Sequence, residues 1–286
     1  MAIALSDSSG AGRVRGRADA RAIAALRAAA GVWFASALIG QWAFLYYIAR
    51  FYDVATLRGD FAAWSKNPYL LKGYVAGDGA GNFAFAAHVL LAAVVTLAGA
   101  LQLLPQLRAR WIGLHRWNGR VFLLVAIAAA ASGLIMVWVR GSRANLVAGL
   151  ATSLDAALII AFALLAWQAA RACEIGRHRR WALRTWIVAN GVWFQRIGIF
   201  GWTTANHAAV GMTRQFDGWF DLSWAFGCYL LPLALLELYF RVQDRADSSG
   251  RLAMAAGLLV LAGLVAFGSH AAYTFVWSPF LWKLDN

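Results

Sequence analysis

His115 and His178 stand in matching surroundings. The first lies in Gly113-Leu114-His115-Arg116-Trp117-Asn118-Gly119-Arg120, the second in Gly176-Arg177-His178-Arg179-Arg180-Trp181-Ala182-Leu183-Arg184. Each run reads Gly, one residue, His-Arg, then Trp, then Arg a turn later, and each follows an apolar stretch that ends in a glutamine, Gln102 or Gln168. Two imidazoles facing each other at one depth in a helical bundle are what haem b needs as axial ligands, and nearby arginines suit its propionates. Arg116, Arg120, Arg179, Arg180 and Arg184 are placed for that role. A quinone would use the same imidazoles as hydrogen-bond partners or proton donors. The plainer reading is a basic collar holding lipid phosphate. Cations in the first turn of a helix oppose its dipole, which itself points to an anionic partner.

A second set of polar residues falls inside apolar runs. A charge at mid-bilayer costs roughly 2.5–3.5 kcal/mol on insertion scales, so such residues are functional candidates. The repeat aligns His88 with Asp155, which lie 14 and 13 residues before Gln102 and Gln168. At about 1.5 Å per residue, Asp155 and Arg196 lie about 13 and about 12 Å from the outer ends of their spans. Opposite charges at matched depth in neighbouring helices are expected to pair. The pair would bind an anion, a proton or a quinone headgroup, or would fix helix register. Asn190 and Gln195 would complete this outer cluster, and His88 is a further haem ligand, proton relay or interhelical hydrogen-bond partner. On this reading Asp155→Asn destabilises the bundle by leaving Arg196 unpaired. His207 and His270 read as incidental, and Glu237 as a boundary charge near Arg241.

Familiar enzyme signatures are absent. The chain has no His-Glu-x-x-His, no Cys-x-x-Cys and too few histidines for a desaturase-like di-iron site, and no metal site is expected. Gly77-Asp78-Gly79-Ala80-Gly81 lacks the strand-then-helix context of a nucleotide loop. The enzymatic role left open is that of a membrane oxidoreductase component.

The elements that must position these residues follow from composition. Of 286 residues, 62% are hydrophobic and 14% charged, against about 25% charged in soluble domains, and mean hydropathy is +0.59. The apolar residues fall in runs near the ~20 residues that cross a bilayer. The fold class is therefore an all-α integral membrane protein, with seven spans near 28–49, 82–104, 119–139, 146–170, 182–204, 221–240 and 252–275. Pro105 closes the second. Tyr46, Tyr47, Phe51, Tyr52, Trp277, Phe280 and Trp282 gather at span ends as an interfacial belt. Gly191, Gly198 and Gly201 loosen the fifth span, but no proline interrupts it.

A net charge of +13 would suggest nucleic acid in a soluble chain. Here it reads as cytoplasmic loops, with no nucleic-acid partner. With the N-terminus inside, 17 of the 26 Lys and Arg fall on the cytoplasmic side and 8 outside, leaving Arg196 within a span. That bias places the N-terminus in the cytoplasm, the C-terminus outside, and the chain in the cell's inner membrane. Residues 1–22, with Arg13, Arg15, Arg17 and Arg21, read as a disordered basic tail, and 23–286 as one transmembrane domain. Hairpins 82–140 and 146–204 would be two parallel copies forming a four-helix core, and 50–81, with Trp64 and Asn67-Pro68-Tyr69, a long outer loop. Cys173 and Cys228 offer no disulfide framework.

Several stretches carry a family resemblance: Lys72-Gly73-Tyr74-Val75 with Gly77-Asp78, Gly81-Asn82, His88, Gln102-Leu103-Leu104-Pro105, the two His-Arg runs, and Leu230-Leu231-Pro232-Leu233-Ala234-Leu235-Leu236-Glu237. Together, over roughly residues 50–242, they resemble the bacterial membrane-protein family DUF2306, a domain of unknown function. The resemblance implies a polytopic membrane protein and carries no activity with it. The last span and the tail fall outside it.

Three functions are consistent with these residues. The first is a redox module holding haem b or a quinone in a four-helix bundle, with His88, His115 and His178 as ligands or proton donors. A two-haem bundle wants four histidines, and Asp155 occupies the fourth repeat position, so one haem is the limit. The second is a proton-coupled transporter centred on Asp155, Arg196 and His88. The third is a non-catalytic membrane subunit or lipid-binding scaffold. The expected partners are anionic lipid at the cytoplasmic face and another subunit of a membrane complex.

Overall fold

The computed structural model describes residues 8–66 and 72–285, and side chains for 16–66 and 72–281. Residues 1–7, Asn67-Pro68-Tyr69 and the Trp282 side chain lie outside the described residues. Every regular element described is helical. Among the described residues, six segments are long and apolar enough to cross a membrane: Gly16–Leu57, Gly79–Gln102, Ile112–Trp138, Leu146–Arg171, Trp219–Arg245 and Ser248–Leu281.

Helix α1 (Ser8–Ile48) runs through a π-helical turn, Ala49–Asp53, into the short α2 (Val54–Leu57). Residues 8–22, expected to be disordered, are its first turns. Alanine and arginine are strong helix formers, and these turns have a neighbour to pack on. Asp19 receives a hydrogen bond from Ser248 and lies 3.9 Å from Arg251, while Leu26 and Ala29 pack with Ala255. The partner is α10 (Ser248–Ala272). The two helices run in the same direction, since Gly40 meets Ser269 and Phe44 meets Trp277 (ring centroids 5.3 Å apart) further along.

Between α2 and α3 (Gly79–Gln102) the described residues form a packed cap. Trp64, on a 3-10 turn, is fully buried, 4.9 Å from the Phe85 ring. Asp78 caps α3 by accepting from the Gly81 amide (2.9 Å). The α3 helix stops at Gln102, and Pro105 starts the short α4 (Pro105–Arg110), where its missing N–H is tolerated. Helix α5 (Ile112–Trp138) packs on α3, and α6 (Leu146–Arg171) packs on α5. Ala163 and Ala166 of α6 are fully buried.

The segment expected as one span at 182–204 is two helices, α7 (Ile175–Ala189) and α8 (Gly191–Asn206). Asn190 makes the break without proline. Its backbone leaves helical geometry (φ −96°, ψ 9°), its Nδ2 donates to the Trp186 carbonyl (2.7 Å), and its own carbonyl accepts from Phe194 (3.0 Å) to start α8. Helix α9 (Trp219–Arg245) carries Pro232 inside it, and α11 (Ser278–Asp285) follows α10 after a π-helical turn. Where α8 crosses α10, a Cβ on Gly201 would lie 3.3 Å from the Gly268 Cα, so two glycines set the approach.

Candidate functional site

At the arginine-rich end of the bundle, α1, α3, α4, α5, α7, α8, α9 and α10 line a cavity of about 770 Å³. Both repeat histidines line it, His115 from the first turn of α5 and His178 from the first turn of α7. The His178 Nδ1 lies 2.9 Å from the Ala166 carbonyl. A carbonyl only accepts, so Nδ1 carries the hydrogen, and in the neutral ring Nε2 keeps its lone pair. The His115 Nδ1 is buried without a partner among the described residues. Gln102, the glutamine of the repeat, donates to the His115 carbonyl (2.7 Å) and also lines the cavity.

Arg27, Arg108 and Arg179 complete the polar end, and none has an acidic partner among the described residues. Deeper in, Trp33, Phe122, Trp186, Phe194 and Trp224 make an apolar, aromatic wall. Leu231, Leu235 and Leu264 line the cavity too, yet are 56%, 38% and 60% exposed. The cavity is therefore open sideways between α9 and α10, through a rim of leucines.

The other expected ligand-holding arginines are engaged elsewhere. Arg116 and Arg120 are exposed and do not line the cavity. Arg180 holds Asp244 through both carboxylate oxygens (2.7 Å each). Arg184 holds Glu237 (2.5 and 2.9 Å) and lies over the Trp181 and Phe240 rings. It ties α7 to α9. Reading Glu237 as a boundary charge near Arg241 missed this pairing. Arg27 and Arg108 lie outside the repeated His-Arg motif, so nothing in the residue pattern singles them out.

The outer cluster does not assemble. Asp155 and Arg196 form no pair. Arg196 donates to the Val192 carbonyl (3.0 Å) and lies over the Phe44 ring, beside His88, Tyr47 and Tyr52. Asp155 faces Cys228 and Tyr229 of α9 instead. His88 stands apart from the cavity with its Nδ1 2.9 Å from the Ser132 hydroxyl, an interhelical bond to α5. Asn190 is occupied in the helix break, and the Gln195 carbonyl accepts from the Trp224 indole (3.1 Å). Matched depth did not produce contact because it leaves helix rotation undetermined, and the Asn190 break changes the facing of everything after it. Cys173 and Cys228 are both free, one exposed and one buried.

The motif around 72–82 has a separate structural role. The Arg140 side chain, 6% exposed, spends its fork on Asp78 (3.1 Å), the carbonyls of Lys72 and Gly73 (2.9 and 2.8 Å) and the Asn82 side chain (2.9 Å). Lys72 returns a bond to the Arg140 carbonyl (2.8 Å). This clasp ties the segment before α3 to the start of α3 and the end of α5. The Arg140 hydrogen bond, followed by the Gly81 amide, holds the Asp78 carboxyl below its ordinary value of 3.8.

The family model described as "Predicted membrane protein (DUF2306)" matches residues 85–235. That stretch runs from the first turns of α3 into the middle of α9, and so includes both cavity histidines. No curated protein and no solved structure matches the chain.

Proposed function

The chain belongs to the DUF2306 family of predicted membrane proteins, and from that premise we propose that it is a redox module of the inner membrane that binds a quinone in the cavity at its arginine-rich end. The observation that carries this reading is the cavity itself: two histidines at a polar end, an aromatic interior and a side opening toward lipid. A quinone dissolved in the bilayer reaches its site through such an opening. The fixed Nε2 lone pair of His178 suits the hydroxyl hydrogen of the reduced form. An N–H from His115 suits a carbonyl oxygen of the oxidised form, and Arg27, Arg108 and Arg179 favour any anionic intermediate state of the ring. Electrons would pass to or from a partner subunit in the membrane.

The wider arrangement belongs to the same proposal. The N-terminus is cytoplasmic, the α7–α8 pair crosses as a seventh, discontinuous span, and hairpins α3–α5 and α6–α8 are the two copies, of which α3, α5, α7 and α8 line the cavity. Exposed Arg116 and Arg120 then meet anionic lipid at the cytoplasmic face.

A second reading, haem b, is favoured by one specific feature. A histidine whose Nδ1 hydrogen is held by a backbone carbonyl is oriented as axial ligands are, and His178 has that bond. His115 and His178 would hold the iron, and Arg27, Arg108 and Arg179 the propionates. The group would supply one-electron transfer. A reduced-minus-oxidised visible spectrum of the purified protein separates the two. A haem band lost in His115→Ala and in His178→Ala selects haem. A flat spectrum, with quinone in the organic extract of the same sample, selects quinone. Neither pigment nor quinone removes the redox reading and leaves a lipid-binding subunit.

A further inference from the structure

We propose that Asp155 is a proton-binding site, separate from the cavity and set against the break between α7 and α8. Asp155 makes no hydrogen bond and no ion pair among the described residues, and its Oδ1 is sealed from solvent. It sits against the first residue of α8, where a Cβ on Gly191 would lie 3.0 Å from its Oδ2 and 3.2 Å from the Tyr229 Cβ. The titratable groups facing it are Cys228 and Tyr229 of α9, and no cation on α5, α7 or α8 does so. The Tyr229 hydroxyl is spent on the Ala151 carbonyl (3.0 Å). No amide of the α8 N-terminus donates to the carboxyl either.

A carboxylate with neither donor nor countercharge in an apolar interior is costly, and taking up a proton removes the charge. A larger cation would need further ligands, and no group of three acids, histidines or cysteines exists among the described residues. The proton is therefore the ligand that fits. Asp155 carries it while α7 and α8 are closed on each other. Movement at Asn190–Gly191 changes the flank that α8 presents to Asp155, so proton release is tied to that movement. A bound state that favours the closed arrangement, and a released state that favours the open one, couple proton exchange to the helix pair. The site does not depend on what the cavity binds.

Infrared difference spectroscopy of the full chain in lipid nanodiscs tests this. At neutral pH the wild type should show the C=O stretch of a protonated carboxylic acid, lost in Asp155→Asn, shifted in frequency in Asp155→Glu and unchanged in Asp53→Asn. No such band in the wild type, or a band that survives both Asp155 substitutions, overturns the proposal. Asp155→Asn should also melt at or above the wild-type temperature, because the amide copies the neutral acid. A band that Asp155→Glu shifts decides the matter if the Asn variant does not fold.

Discussion

His178 donates its Nδ1 hydrogen to the Ala166 carbonyl across 2.9 Å, from the first turn of α7 to the buried face of α6. The backbone of one helix thereby fixes what the imidazole of the next can offer a ligand. His178→Ala removes that lone pair. Binding of a short-chain hydroquinone, followed by quenching of the cavity tryptophans Trp33, Trp186 and Trp224, should weaken at least about tenfold, or roughly 1.4 kcal/mol. The melting temperature should fall only modestly, since a single neutral hydrogen bond contributes about 1 kcal/mol. Unchanged quenching would remove His178 from the site.

Gly31 separates occupancy of the cavity from the chemistry of its head. It lines the cavity, and a Cβ there would meet nothing within 4 Å. Gly31→Leu should therefore place its side chain in open space, raise helix propensity by a few tenths of a kcal/mol up to about 1, and obstruct the ligand. The expected result is lost quenching at unchanged or higher thermal stability. Full binding by a folded Gly31→Leu variant would place the ligand elsewhere.

Arg140 should matter to the fold and not to the cavity. Its guanidinium serves a carboxylate, two carbonyls and an amide oxygen at once, which one ammonium cannot copy. Arg140→Lys should lower stability by about 1.5–3 kcal/mol, the scale of hydrogen bonds to a charged group, with quinone affinity retained. Equal melting of the two proteins would show that the clasp contributes little.

The same clasp gives an acid response of defined sign. The folded-state value of Asp78 is lowered, first by the Arg140 hydrogen bond. Its contribution to stability is thus complete above the ordinary value of 3.8 and disappears as pH falls through the lowered one. Protease protection of the cap between α2 and α3 should hold from neutral pH down to that region and then fail. In Asp78→Asn, protection should be weaker throughout and its dependence on acid reduced. An identical acid profile in both proteins would assign the response to another group.

Residue patterns carried some of this architecture and not the rest, for identifiable reasons. Long apolar runs defined α3, α5, α6 and α9, because a bilayer-length segment leaves the backbone no alternative to the helix. The repeat around His115 and His178 corresponds to the first turns of α5 and α7, and the two histidines share one cavity in the structure. Asp155 and Arg196 also matched in depth. Each residue turns a helix by about 100°, so depth says nothing of direction, and the two face different neighbours. The Asn190 break was not legible because no proline marks it. A side-chain bond to Trp186 does the work, and asparagine in an apolar run reads equally well as a core polar residue. The α1 turns before Ala22 looked too polar to pack. Their stability comes from α10, more than 200 positions away in the chain.

The most direct test of the central claim is a titration of the purified, quinone-depleted protein with a short-chain quinone, read by tryptophan fluorescence in wild type, His115→Ala and His178→Ala. Saturable quenching in the wild type that weakens at least about tenfold in both variants, with all three proteins equally folded, is the predicted result. Quenching that is unsaturable, or that is the same in all three, would contradict a quinone site between His115 and His178.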